Sequence, residues 1–281
     1  MRLGSSEAGD RWGGYFANMP AAVEAVCEAA RGTPALAGGY YGVGLSQGAQ
    51  FLRALGESCG PGAGAAGPAL LRLVSLGGQH RGVSQVPRCG GAGDDSAYCA
   101  RARALVSRGA YLPWVRDHVV QAQYFRDPRR VGEYLARGVF LPRVNNEVPG
   151  ARDPRAAAAV GAMEALVLVM FEGDEMVVPR ESSWFGEEQA SAPAEGRGWG
   201  GAAPARAPAR APRDAAARAA PRAQEDGSVL DLRDTALYRE DWIGLRALDE
   251  AGRLHLLSCP GGHLQFDREW FAGAVLPFLA T

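Results

Sequence analysis

Residues 40–55, YYGVGLSQGAQFLRAL, decide the fold class of this chain. The first part, residues 40–44, is aromatic and β-branched and is bounded by glycines, which predicts a buried strand. Apolar residues then recur at helical spacing up to Leu55, so a strand, a tight turn and a helix follow one another. Ser46 stands at the turn in a Gly-x-Ser-x-Gly pattern, and a strained elbow needs both glycines so that the backbone can turn sharply and expose the hydroxyl. We interpret it as a nucleophile elbow, with an ordinary strand–helix turn as the alternative.

Further apolar runs lie on both sides of this stretch. They predict strands over residues 70–76, 164–171 and 254–257, and helices over residues 19–31 and 270–279. Strands separated by helical or irregular segments predict a parallel α/β sheet. Residues 100–160 lean towards helix, which predicts a helical cap or insertion. Residues 187–226 are rich in Ala, Pro and Arg and are predicted to be a disordered insert, because they have too few large apolar side chains to offset their chain entropy.

Composition limits the possible functions. The 281 residues, 47% of them hydrophobic, suit one sizeable domain or two small ones. With 30 basic and 31 acidic residues the net charge is −1, which gives no electrostatic footprint for nucleic acid. No apolar run reaches the ~20 residues of a membrane span, and the N-terminus shows no apolar signal-peptide core. Without Cys/His metal spacing or a phosphate-binding loop, we predict no metal and no cofactor.

A nucleophilic serine needs a base, and the base needs an acid that orients it. In an α/β-hydrolase sheet these partners follow in the order Ser, acid, His at the ends of later strands. Of the four histidines, His263 lies in a glycine loop after the last predicted strand and is the predicted base. His80 has the wrong order, His118 belongs to a helical stretch, and His255 lies inside a predicted strand.

The predicted acid is Asp174, which follows the most convincing strand. Gly173 before it permits a turn that points a short carboxylate back at the sheet edge. Glu172 and Glu175 flank this position and are the competing candidates.

The five cysteines leave the redox compartment open. Cys89 and Cys99 bracket a loop of glycine and aspartate that would gain from a disulfide. A bridge between Cys27 and Cys59 is possible, and Cys259 would then remain free. The alternative is a cytosolic protein with all five thiols reduced.

Several segments in a fixed order resemble the lysosomal palmitoyl-protein thioesterases. They are GYYGVGLSQGAQFLRA (39–54), GGQHRGV (77–83), QAQYFRDP (121–128), SWFG (183–186), TALYREDWIGL (235–245) and HLQFDREWF (263–271). The resemblance implies a single α/β-hydrolase domain over residues 1–281, with a mostly parallel sheet and helices on both faces. The family triad falls on Ser46, Asp174 and His263. The family disulfides fall on Cys27–Cys59 and Cys89–Cys99, which favours an oxidising compartment.

The activity that the resemblance implies is hydrolysis of long-chain fatty acyl thioesters on S-palmitoylated proteins or peptides, in the lysosome. Ser46 would form an acyl-serine, and the backbone N–H of Gln47 would be one oxyanion donor. The candidate side chains of the acyl groove are Phe125, Met176 and Val177. An oxygen-ester lipase or esterase on the same triad, and a catalytically impaired acyl-binding remnant, are the alternatives.

The nucleophile comes early in the chain. An α/β-hydrolase places several strands, and a loop with the second oxyanion donor, before its elbow. We therefore expect the 281 residues to be N-terminally incomplete and to lack the first strands, and we expect them to be insoluble or inactive when expressed alone.

Overall fold

The computed structural model describes residues 6–61, 67–85, 96–190 and 228–280. Its larger sheet has four parallel strands in the order β1-β2-β3-β6. These strands are β1 (Tyr40–Leu45), β2 (Leu70–Leu76), β3 (Ala165–Phe171) and β6 (Leu254–Cys259). A short antiparallel pair is formed by β4 (Glu187–Glu188) and β5 (Val229–Leu230). The predicted parallel sheet is confirmed.

Twelve α-helices surround these strands in the described part of the chain. They are α1 (Glu7–Tyr15), α2 (Met19–Arg31), α3 (Gln47–Cys59), α4 (Ser96–Gly109), α5 (Pro113–His118), α6 (Val120–Gln123), α7 (Val131–Arg137), α8 (Leu141–Val144), α9 (Pro154–Gly161), α10 (Ala236–Arg239), α11 (Leu245–Glu250) and α12 (Arg268–Ala274). Helices α4 to α9 lie where we predicted a cap, whose status as a separate unit remains an interpretation. None of the described helices is long and apolar enough to cross a bilayer.

The strands bury both faces of the sheet, as parallel strands must. In β3 every residue is buried, and its side chains alternate between two apolar clusters. Leu166 and Leu168 pack with residues of α9, α10 and α11, whereas Val167 and Val169 pack on the face that α12 covers. Helices therefore lie on both sides of the sheet, as predicted for an α/β-hydrolase.

The predicted elements agree with the observed ones except near their ends. Helix α2 and strand β2 coincide with prediction, β1 and β6 run further than predicted, and β3 begins at Ala165. The closing helix was wrong in its extent, because α12 stops at Ala274 and a 3₁₀ turn, Leu276–Phe278, follows. Pro277 lies in that turn, and its missing N–H and fixed ring prevent α12 from continuing.

The prediction of a disordered insert over residues 187–226 is wrong for its first residues. Its first residues, Glu187–Glu188, form β4 and pair with β5. Glu187 also bonds Arg81 and Arg126, which anchors this strand to the body of the fold. Residues 191–227 lie outside the described residues, so the rest of that prediction stays untested.

The disulfide Cys27–Cys59 joins α2 to the end of α3, with a Cα–Cα distance of 5.6 Å. This pairing is confirmed, and Cys259 is a free, buried cysteine. Cys89 lies outside the described residues, so its pairing with Cys99 stays a prediction.

Candidate active site

Ser46 occupies the turn between β1 and α3 in a strained backbone conformation. Its φ of 51° and ψ of −126° are rare for a residue with a side chain and are typical of functional turns. A Cβ at Gly44 would lie 2.7 Å from the backbone nitrogen of Ala49, so this position requires glycine. A Cβ at Gly48 would meet nothing within 4 Å. Our expectation that the turn needs both glycines is therefore wrong for the second one.

One histidine lies between the serine and a carboxylate. His263 Nε2 lies 2.9 Å from Ser46 Oγ, and its Nδ1 lies 2.7 Å from Asp174 Oδ2. The three residues follow β1, β3 and β6, and the carboxyl ends of parallel strands meet at one edge of the sheet. The structure thus brings the predicted nucleophile, acid and base into one hydrogen-bonded line.

The carboxylate of Asp174 is held from two sides. Its Oδ1 accepts the backbone N–H groups of Met176 at 2.8 Å and Val177 at 2.9 Å, while Oδ2 faces the imidazole. The two rival acids point elsewhere, since Glu172 Oε1 accepts the Ser258 hydroxyl at 2.9 Å and Glu175 is exposed.

Two glycines leave space around the hydrogen-bonded residues Ser46, His263 and Asp174. Gly173 lies in the predicted turn, in which the Asp174 N–H donates to Phe171 O at 3.2 Å. The Gly173 N–H also donates to Gly261 O at 2.7 Å, and a Cβ on Gly173 would lie 2.9 Å from that oxygen. Gly77, which the sequence analysis missed, has φ of 63°, and a Cβ on it would lie 3.0 Å from His263 Cε1. The loops after β2, β3 and β6 can therefore meet around the imidazole.

The other three histidines lie away from this line. His80 is fully buried, its Nε2 lies 2.8 Å from Ser75 Oγ, and its ring stacks on Phe185. Burial lowers the pKa of His80 well below its ordinary value, with a smaller effect from a nearby arginine, so it is neutral. His118 stacks on Trp114 in the cap region, and His255 lies beside a C-terminal aromatic ring.

A cavity of about 270 Å³ opens on Ser46 and His263. Met176 and Val177, two of the predicted groove residues, line it. Further lining residues, which the sequence analysis did not single out for the groove, come from α1, the loop after β2, α4, α6 and the C-cap of α6: Tyr15, Gln79, Val83, Ala102, Arg103, Gln121 and Tyr124. Gln79, Val83, Gln121 and Tyr124 belong to the segments 77–83 and 121–128 that carry the family resemblance, and this signal could have found them. Tyr15, Ala102 and Arg103 lie in none of those segments, so only the fold reveals them.

Phe125 is not among the described residues that line this cavity. Its backbone pairs with Val83 in an isolated parallel bridge just after the end of α6. Its neighbour Tyr124, the C-cap of α6, lines the cavity, whereas the centroid of the Phe125 ring lies 6.2 Å from that of Tyr111.

Gln47 begins α3 directly after Ser46 and also lines the cavity. Its side-chain amide donates to Gly14 O at 2.9 Å, which ties α1 to the elbow. The first N–H groups of a helix have no carbonyl partner within the helix, so the Gln47 N–H is suited to bind an oxyanion.

A family comparison agrees with this arrangement. The family model for palmitoyl protein thioesterase matches residues 1–263. The chain belongs to the palmitoyl-protein thioesterase family. It is 38% identical to palmitoyl-protein thioesterase 1 of Caenorhabditis elegans over 98% of this chain and 78% of that protein. It is 29% identical to a palmitoyl-protein thioesterase-dolichyl pyrophosphate phosphatase fusion of Schizosaccharomyces pombe, over 99% of this chain and 38% of the fusion. It is 26% identical to the lysosomal thioesterase PPT2-B of Xenopus laevis, over 49% of this chain and 36% of that protein.

In this family member a buried ionic cluster supports the loop that follows β2. Arg81 in that loop lies 3.1 Å from Glu147, which also accepts the Tyr134 hydroxyl at 2.8 Å. Arg126 contacts Glu187 of β4 at 2.7 Å. Burial alone would raise the pKa of Glu187, but the two guanidiniums outweigh it and hold this pKa below its ordinary value. The cluster joins the cap region, β4 and the loop that carries Gln79 into the cavity.

Proposed function

We propose that this chain is a serine thioesterase that hydrolyses long-chain fatty acyl groups from S-acylated cysteines of proteins or peptides. The observation that carries the proposal is the line Ser46–His263–Asp174, with hydrogen-bond distances of 2.9 and 2.7 Å, at the wall of a cavity. Membership of the palmitoyl-protein thioesterase family supports the acyl thioester as the substrate class.

The reaction begins at Ser46. His263 Nε2 takes the hydroxyl proton as Oγ attacks the thioester carbonyl, and Asp174 stabilises the imidazolium that forms. The N–H of Gln47 stabilises the negative oxygen of the tetrahedral intermediate. The carbon–sulfur bond breaks, His263 returns the proton to the departing thiol, and an acyl-serine remains. A water molecule, deprotonated by the same imidazole, then releases the fatty acid and restores Ser46.

The lining of the cavity suits an acyl chain. Val83, Tyr124, Met176 and Val177 offer apolar surface next to the nucleophile. Burial of an aliphatic chain contributes about 0.8 kcal/mol per methylene, so a long chain gains much of its binding energy here.

The compartment that we propose is the lysosome. The Cys27–Cys59 disulfide favours an oxidising route, and one relative is named a lysosomal thioesterase.

Hydrolysis of an S-palmitoyl cysteine peptide by the purified chain, compared with Ser46→Ala, tests the proposal, and activity would overturn the expectation from the sequence that the chain alone is insoluble or inactive. We expect a loss of roughly 10⁴-fold or more in kcat and loss of covalent fluorophosphonate labelling, because no other group supplies the nucleophile. Ser258→Ala, which removes a hydroxyl bonded to Glu172 on the protein surface, is the matched control.

Three results would contradict the proposal. Hydrolysis that survives Ser46→Ala excludes the acyl-serine. Faster hydrolysis of the matched palmitoyl oxygen ester favours a lipase or esterase. Bound palmitate with neither hydrolysis nor labelling favours the impaired acyl-binding protein.

A further inference from the structure

Arg103 of α4 lines the cavity that opens on Ser46 and His263. Among the described lining residues it is the only one with a permanent charge, since the others are glycine, apolar, amide or hydroxyl side chains, one cysteine and one imidazole. Its side chain is exposed to solvent, so it can meet an incoming molecule.

Arg103 forms no ion pair or hydrogen bond with the described residues that would account for an arginine at this position. The ion pairs in the described part of the chain involve other arginines, and Arg103 takes part in none of them. By contrast, Arg81 and Arg126 are buried against glutamates. A guanidinium that is free at the wall of a reaction cavity is available for an anionic group of a ligand.

The chemistry of a thioester decides which half of the substrate the Arg103 guanidinium can bind. The fatty acyl half is an uncharged hydrocarbon up to its carbonyl, and it offers a guanidinium nothing to bind. The thiol half of an S-acyl cysteine carries a carboxylate three bonds from the sulfur when the cysteine has no residue after it. Arg103 therefore matches the thiol half.

We propose that Arg103 is a specificity-determining residue that binds the carboxylate of the thiol half, so that the enzyme favours S-acyl cysteines with this charge over neutral ones. The inference rests on the proposed thioesterase function and adds the substrate feature that this function does not specify. The class of reaction that supplies the preferred substrate is then proteolysis, because it frees the carboxylate of the S-acyl cysteine.

A matched pair of substrates isolates the charge. S-palmitoyl-N-acetylcysteine and its neutral amide, dispersed in the same uncharged detergent, differ only at the carboxyl group. We expect the wild-type enzyme to show roughly threefold to tenfold higher kcat/KM for the acid, mostly through KM, because an exposed charge pair contributes modest binding energy. The preference should shrink as salt is added, since a pair at an open cavity is screened.

Variants at position 103 then assign the preference to one side chain. Arg103→Gln should bring the ratio of the two kcat/KM values to about one by lowering the value for the acid alone, Arg103→Lys should keep part of the preference, and Arg103→Glu should reverse it. The control is Arg101→Gln on the same helix, because Arg101 is also exposed but lines a separate groove with Trp12 and Trp114. This control should keep the wild-type ratio.

Each other outcome overturns the inference. An equal loss on both substrates in Arg103→Gln, with unchanged fluorophosphonate labelling, would place Arg103 at the acyl carbonyl. An unchanged ratio in all variants would show that Arg103 binds no part of the substrate. If the enzyme prefers S-palmitoyl-phosphopantetheine to S-palmitoyl-pantetheine but shows no preference between the two cysteine substrates, the ligand of Arg103 is a phosphate and not a carboxylate. A wild-type chain that hydrolyses the neutral amide but shows no preference loses only this inference, whereas one that hydrolyses no substrate loses the proposed function as well.

Discussion

Asp174 binds His263 with one carboxylate oxygen while its other oxygen accepts two backbone N–H groups. The backbone N–H groups hold the Asp174 carboxylate in place, and the carboxylate in turn holds the imidazole of His263. The side chain of Asp174 is completely buried. A carboxylate accepts on both oxygens, so it holds the proton of His263 on Nδ1 and leaves Nε2 free to accept from Ser46.

Asp174→Asn should lower kcat roughly 10⁴-fold while leaving the fold intact. The amide oxygen can still accept the N–H groups of Met176 and Val177, so its NH₂ group faces Nδ1 and forces the histidine proton onto Nε2. That tautomer cannot accept the proton of Ser46. Steady-state kinetics with circular dichroism measure both effects. Glu172→Gln is the control, and retention of a tenth of the activity by Asp174→Asn would argue against this role.

The two glycines of the elbow should respond differently to alanine. Gly44→Ala should destabilise the protein by roughly 3 kcal/mol or more, because the new Cβ meets the backbone of Ala49. Gly48 lies in the first turn of α3, and a Cβ there would meet open space. Gly48→Ala should therefore leave the stability unchanged or raise it by up to about 1 kcal/mol. Urea unfolding of both variants compares them, and equal losses would show that our steric account is wrong.

Removing the disulfide by Cys27→Ser and Cys59→Ser together should cost roughly 3–4 kcal/mol of unfolding free energy, because the closed loop has a sequence separation of 32. Cys259→Ser is the control for the loss of a buried sulfur, since this free thiol donates to two carbonyl groups that a hydroxyl can also bind. A loss in the double variant no larger than in this control would contradict the prediction. Any further loss when reductant is added to the double variant would test the predicted Cys89–Cys99 bridge.

Stability should depend on pH through Glu57, which is buried against Arg53 at 2.9 Å. Burial raises the pKa of Glu57 from 4.5 to about 7, although Arg53 opposes the shift. Between these values the folded chain keeps a proton that the unfolded chain loses, so this residue destabilises the fold as the pH rises. We expect Glu57→Gln to gain on the order of 1–3 kcal/mol relative to wild type between pH 5 and pH 7.5 in urea unfolding. A pH-independent difference would contradict this.

Sequence reasoning succeeded where the signal was local. The strand–turn–helix around Ser46 and the apolar run of β3 follow from short patterns of side chains. It failed for Phe125, whose neighbour Tyr124 lines the cavity, because the direction of each side chain where α6 ends depends on the local backbone conformation and not on composition. It placed the turn at Gly173 correctly but missed a second constraint there, the carbonyl of Gly261 on another loop.

By itself, the order of residues determined which segments are strands and helices and which side chains have the right chemistry, since backbone preferences and apolar periodicity act over a few neighbours. Only the tertiary structure decided that Ser46 and His263, 217 positions apart, lie within hydrogen-bond distance. It also decided that Arg103 reaches the same cavity. Such meetings depend on how strand ends, loops and helices pack together, and packing is a property of the whole chain.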